Sequence, residues 1–229
     1  MSAKKKIAVL LSGCGVYDGA EIHEAVLSLL AIDEAGASYQ CIAPDKNQYH
    51  VIDHLKGEPM EETRNVLKES ARIARGEIQA LDRIQAADFD ALLIPGGFGA
   101  AKNLNQWAIN GPDGEIDPLV KALILDFLRL NKPIGAMCMG PTVVAKALEG
   151  SDYHPHLTIG STAAPSPYDI AGISSGIEQV GSKAVMRTIT QIEVDVTHKI
   201  VTAPCYMMEA RISDIRKNTK QLVEALLKL

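Results

Sequence analysis

Three short runs with no polar face constrain the fold of this chain most: IAVLL (7–11), ALLIP (91–95) and PIGAMC (133–138). A strand that alternates apolar and polar residues keeps one side in water. A strand apolar on every residue is covered on both sides, as in a parallel sheet between layers of helices. Longer segments of helical period separate these runs. Residues 20–35 read as an amphipathic helix stopped by Gly36, and 116–130 as a helix closed by Asn131 and the strand-opening Lys132-Pro133. SYQCIAP (38–44) is a further strand. This βαβ order predicts an α/β fold with an open, mostly parallel sheet and helices on both faces.

Other parts are less regular. Residues 46–62 lack a clear period and suit a small hairpin or surface excursion. Residues 150–182 are rich in Ser, Pro and Gly, with a strand expected at LTIGS. ITQIEVDV and KIVTAP read as paired strands around a turn at His198-Lys199, and 206–229 as a closing helix. Nothing long enough to act as a linker interrupts the 229 residues, so one domain over 1–229 is expected.

A net charge of -5 without a basic cluster argues against a nucleic-acid partner. No stretch approaches the ~20 apolar residues that cross a bilayer, so no membrane partner is expected. The opening Lys4-Lys5-Lys6 precedes an apolar run too short for a secretory signal and reads as a short solvated tail before the first strand. The four cysteines, Cys14, Cys41, Cys138 and Cys205, are spread without a CxxC pair. That pattern suits reduced thiols and a cytoplasmic or similarly reducing compartment. The six histidines have no metal-ligand spacing, so no metal site is expected.

In open α/β sheets, reactive groups gather at the carboxyl ends of the strands. SGCGVYDG, PGGFGAAKN, CMGP and APCYM reach that edge together and bring Cys14, Cys138 and Cys205 with them. Cys138 lies between Gly135 and Gly140, where a strand gives way to a helix. Small neighbours are what a strained nucleophile elbow requires. There the helix N-terminus favours thiolate over thiol. The N–H of Met139 and one from Gly96 or Gly97 are placed to meet a developing oxyanion. The bland alternative is a small buried side chain ending a core strand. Glu21 and Glu24 lie one turn apart on the first helix, which starts at the same edge. Two readings stay open for them: an inward carboxyl of raised pKa that shuttles protons, or first-turn acids favoured by the helix dipole. His23 is expected to face solvent.

Gly13-x-Gly15-x-x-x-Gly19, with Asp45 ending the next strand, has some likeness to a dinucleotide loop. Its spacing departs from GxGxxG, and Asp18 would meet a pyrophosphate with like charge. No nucleotide cofactor is expected. An amidotransferase triad needs a late histidine and carboxylate. His198 is followed by Lys199-Ile200, not His-x-Glu. His154 and His156 follow the elbow, either as solvated loop residues or within reach of it.

SGCGVYDGAEIHEAV, PGGFGAAKNL, the Cys138 elbow and the TAP-x-YM ending together resemble the ElbB-type proteins. These isoprenoid biosynthesis glyoxalases, or sigma cross-reacting proteins, fall in the class I glutamine amidotransferase-like superfamily that includes PfpI. The resemblance covers essentially the whole chain. It implies a flavodoxin-like three-layer sandwich, a homodimer, an incomplete triad, and a first-helix glutamate touching the cysteine, with Glu24 the matching position and Glu21 second. The implied activity is a cofactor-independent glyoxalase acting on glyoxal or a similar small aldehyde through a Cys138 hemithioacetal. Met139 departs from the histidine that follows the cysteine in PfpI-like proteases, so the resemblance does not extend to peptidase activity. A second class of function is a redox- or metabolite-responsive regulator in which Cys138 is oxidised and Cys14 resolves it.

Overall fold

The computed structural model describes residues 4–229; Met1–Ala3, the start of the expected tail, lie outside them. The chain runs β1 (Lys6–Leu10), α1 (Ile22–Glu34), β2 (Ser38–Ala43), a two-stranded hairpin of β3 (Ile52–Asp53) and β4 (Glu58–Pro59), α2 (Val66–Ile73), β5 (Ile78–Ala80) and β6 (Ala91–Ile94). It continues through a turn of π-helix (Ala100–Leu104), α3 (Trp107–Asn110), α4 (Pro118–Arg129), β7 (Ile134–Met137) and α5 (Gly140–Leu148). Last come β8 (His156–Leu157), α6 (Ile170–Gln179), β9 (Lys183–Ala184), β10 (Glu193–Asp195), β11 (Ile200–Ala203) and α7 (Ile212–Leu226).

Seven strands form the central sheet in the order β10-β11-β7-β6-β1-β2-β5. Every neighbouring pair is parallel except the edge strand β10 against β11. The three fully apolar runs are β1, β6 and β7 in the middle of the sheet, and their side chains are buried on both faces. This is the predicted mostly parallel α/β three-layer sandwich.

The excursion at 46–62 is the small hairpin, Ile52–Asp53 pairing antiparallel with Glu58–Pro59. The turn before β11 lies where the pattern put it, with Lys199 left-handed at φ 55°. Four expectations are corrected. The expected strand at 157–161 is reduced to His156–Leu157, because the next N–H, that of Thr158, turns to Thr202 Oγ1 at 2.8 Å. β10 keeps only Glu193–Asp195 of ITQIEVDV, since Thr188 and Gln191 close a side-chain-bonded turn before it. The closing helix starts at Ile212, after a 3-10 turn at Cys205–Met207 and a capping box between Arg211 and Asp214. The Ser/Gly-rich 150–182 stretch holds α6, whose Gly172 N–H is capped by Asp169 at 2.9 Å. Its glycines hide the helical period, yet one is needed: a methyl group on Gly176 would come within 2.8 Å of the Trp107 ring.

Candidate active site at the elbow of β7

β7 ends at Met137, and the next residue turns the chain. Cys138 is left-handed at φ 54° while its N–H still donates to Ala203 O of β11 at 3.0 Å. A non-glycine residue in this conformation costs ~1–2 kcal/mol. The neighbouring strand holds it there, and the Gly140-Pro141 start of α5 fits the turn that follows, with proline set for the first helical positions. The space is tight, since a methyl group on Gly140 would come within 2.7 Å of Ile94 O.

α1 delivers the second group. Glu21 is the N-cap, accepting the Glu24 N–H at 2.7 Å, which fixes the first turn and points Glu24 inward. Glu24 is fully buried. Its Oε2 accepts the Gly96 N–H at 3.0 Å and its Oε1 the Tyr206 N–H at 3.2 Å. Loop 95–99 crosses between α1 and the elbow because it carries no side chain there. A methyl group on Gly96 would lie 2.6 Å from Glu24 Oε2 and 2.8 Å from Cys138 Sγ. Gly97, at φ 93°, would press within 2.4 Å of Glu21 N.

Burial, then the negative charge of Glu21, raises the Glu24 pKa to about 8 against the pull of the Tyr206 N–H, the Cys138 thiol and the Gly96 N–H. Burial also raises Glu21, opposed by the Glu24 N–H and His23. Cys138 is pushed well up by burial and by the Glu24 carboxyl, with the Gly97 N–H opposing. The expected thiolate bias from the helix N-terminus is therefore outweighed: desolvation favours a resting thiol. The Gly96 N–H is already committed to Glu24. Among the described residues, neither the Gly97 nor the Met139 N–H donates to a protein oxygen.

Other candidates lie elsewhere. Cys14 is half-buried and shares its surroundings with Glu69, Arg72 and Asp18; the thiol that Cys138 feels belongs to Cys205. Cys205 is buried, with Thr219 Oγ1 at 3.8 Å. His154 contacts Gly181 O at 2.8 Å, and His156 faces Glu193 on the edge strand at 3.7 Å. His198 pairs with Asp195 at 2.9 Å beside the start of β11, at the opposite end of the sheet from Cys138. Among the described residues no group of three or more His, Cys, Asp or Glu side chains is placed to hold a metal.

Tyr168 was missed from sequence because it sits in the Ser/Pro/Gly-rich stretch. Its hydroxyl is pushed to about 12 by burial, then by Cys138 and Glu24, so it overlooks the site. Its ring packs edge-on against Phe98 at 5.9 Å. This pair separates a cavity of about 310 Å³ beside Met139 and Trp107 from one of about 580 Å³ beside Tyr17 and Lys102. Tyr206, whose N–H holds Glu24, also places its hydroxyl 2.9 Å from His23 Nδ1.

A family model described as the DJ-1/PfpI family matches residues 5–154. The chain is 42% identical to the rat "ES1 protein homolog, mitochondrial", over 99% of this chain and 84% of that protein. It is 42% identical to the human "Glutamine amidotransferase-like class 1 domain-containing protein 3, mitochondrial", over 98% and 83%. Among solved structures, an isoprenoid biosynthesis protein with an amidotransferase-like domain from Ehrlichia chaffeensis superposes with a TM-score of 0.88 at 33% identity, covering 98% of each chain. The mitochondrial names of these curated relatives point away from the cytoplasmic location expected from the cysteine pattern. Free thiols speak to a reducing environment and cannot tell one reducing compartment from another. The matched elbow, its surrounding loops and the sheet that carries them place this chain in the DJ-1/PfpI family.

Proposed function

We propose that the protein is an ElbB-type, cofactor-independent glyoxalase that converts glyoxal or a similar 2-oxoaldehyde to a 2-hydroxy acid. The observation that carries this reading is the facing of the Cys138 thiol and the Glu24 carboxyl across Gly96, with the Gly97 N–H directed at the sulfur. The DJ-1/PfpI family includes glyoxalase-like and regulatory members.

The chemistry follows from that pair. Glu24 takes the thiol proton as Cys138 sulfur bonds to the aldehyde carbon, and the Gly97 and Met139 amides meet the oxyanion. Returning the proton to that oxygen gives a hemithioacetal. Glu24 then removes the carbon-bound hydrogen as a proton, giving an enediol, and redelivers it to the neighbouring carbon. The aldehyde carbon is now a thioester and its neighbour a carbinol. Water cleaves the thioester, releases the acid and restores the thiol. One water is added, and the oxidation of one carbon is balanced by reduction of the other. A carboxyl with a pKa of about 8 is a stronger base, once ionised, than an ordinary glutamate.

The sensor reading draws less support. It needs Cys14 as a resolving thiol, but Cys14 lies among Glu69, Arg72 and Asp18, and the thiol beside Cys138 is Cys205. The test is a turnover screen of small aldehydes with wild type, Cys138→Ser and Glu24→Gln, following glyoxal loss and glycolate formation. Turnover abolished in Cys138→Ser and severely reduced in Glu24→Gln is the expected result. Full activity in Cys138→Ser would overturn the scheme.

A further inference from the structure

Glyoxal has four heavy atoms, and the space bordered by Phe98 and Tyr168, the residues that flank the site, holds something larger. Beyond the Phe98–Tyr168 pair the cavity of about 580 Å³ falls within the usual size range of small-molecule sites. Its walls include Tyr17, Phe98, Ala108 and Tyr168, and Lys102 supplies its positive charge.

Lys102 is held there by unusual backbone. It lies in the single turn of π-helix at Ala100–Leu104, a feature that recurs at functional sites. Asn103 in the same turn locks it to the glycine-rich loop after β1, donating to Ser12 O and Asp18 O at 2.9 Å each. The ammonium group donates to Tyr17 O at 2.9 Å and stands 5.5 Å from the centre of the Phe98 ring. Among the described residues no carboxylate comes within ion-pair distance of it. The acid whose charge it feels, Asp18, is occupied by the Ile52 N–H at 2.7 Å and faces His54 at 3.9 Å. Burial lowers the Lys102 pKa, as expected for a charge without a partner. A cation without a carboxylate partner in the wall of an aromatic cavity suits an anion better than a neutral group.

We propose that the preferred substrate of the elbow is a 2-oxoaldehyde carrying an anionic end group, such as a carboxylate, which Lys102 binds in the cavity bordered by Phe98 and Tyr168. This rests on the glyoxalase reading above and deepens it. Phe98 links the two ends: it follows Gly97, whose N–H faces the sulfur, and its ring lies beside Lys102. For 4,5-dioxopentanoate the reaction adds one water, oxidises the aldehyde carbon to a carboxylate and reduces the ketone carbon, giving 2-hydroxyglutarate without an outside oxidant.

The test compares 4,5-dioxopentanoate with its neutral amide, 4,5-dioxopentanamide, on wild type, Lys102→Met and Lys102→Arg. The expected result is a kcat/KM at least ~10-fold higher for the anion in wild type, carried mainly by KM. That ratio collapses in Lys102→Met and is largely kept in Lys102→Arg. Equal kcat/KM for the two compounds in wild type, or equal losses for both in Lys102→Met, would overturn the proposal while leaving the glyoxalase reading intact. Calorimetric titration with 4-oxopentanoate, which lacks the aldehyde, separates the two failures. Binding that disappears in Lys102→Met supports the anion site even if no aldehyde is turned over, and its absence in wild type counts against the site.

Discussion

Glu24 Oε2 and Cys138 Sγ occupy the same small space over the α-carbon of Gly96, within 2.6 and 2.8 Å of the point where a side chain there would begin. The carboxyl comes from the first helix and the thiol from the end of a strand more than a hundred residues later. A residue without a side chain lets them face each other.

Gly96→Ala is expected to damage both stability and chemistry. The added methyl group would stand 2.3 Å from Cys138 Cβ, so the elbow or α1 must move. Overpacking of this kind costs ~1–3 kcal/mol, and displacing reacting groups by about 1 Å costs turnover on the order of 100-fold. Urea denaturation reads the first and glyoxal consumption the second.

Glu24→Gln is expected to flatten the pH dependence of stability. In the wild type the Glu24 pKa is raised to about 8, so between its ordinary value of 4.5 and about 8 the folded protein holds a proton that the unfolded chain has released. Stability therefore falls as pH rises through this window. Tm measured from pH 5 to 9 should decline more steeply for wild type than for the variant. Parallel curves would place the ionisation elsewhere. Wild-type turnover should rise over the upper part of the same range, as the carboxyl becomes able to accept a proton.

Replacements of Cys138 should reverse the usual order of glycine and alanine. Alanine normally exceeds glycine in stability, but at φ 54° alanine keeps the strain of the left-handed backbone and glycine does not. Cys138→Gly is expected to be more stable than Cys138→Ala by about 1 kcal/mol, as read by chemical denaturation. The opposite order would mean that the turn is not strained.

His198→Ala is expected to cost stability and spare catalysis. Burial works to raise the Asp195 pKa, but the N–H groups of His198 and His156 and the His198 imidazole more than offset it, and the net direction is down. The stability this carboxylate contributes is present above its ordinary pKa and is lost as pH falls through the lowered one. Losing the imidazole partner should cost ~1–2 kcal/mol at neutral pH. Glyoxal turnover should be unchanged, because the pair sits at the other end of the sheet. A large loss of turnover would bring this histidine into the mechanism.

The sequence by itself determined the architecture and the place of the elbow cysteine. Runs such as IAVLL and PIGAMC can only be covered on both faces, and the glycines around Cys138 leave space for a strained turn at a strand end. Both signals are local in the chain, which is why they can be read there. The apolar neighbours Ala25 and Val26 and the family resemblance both favour Glu24 as the inward acid, while helical spacing alone leaves Glu21 and Glu24 on neighbouring positions. Only the tertiary structure decided between them: Glu21 turns back to cap the helix, while Glu24 is locked by N–H groups from residues 96 and 206. Tertiary structure also set the direction in which the Cys138 pKa moves, since burial is a sum over distant elements and outweighs the local pull of one helix end. Tyr168, Phe98 and Lys102 come from three separate turns, and no pattern in the linear chain shows that they meet around one cavity. Cys14 and the histidines show the converse, since lying after a strand or after the elbow brings no residue to the site unless the packing turns it there.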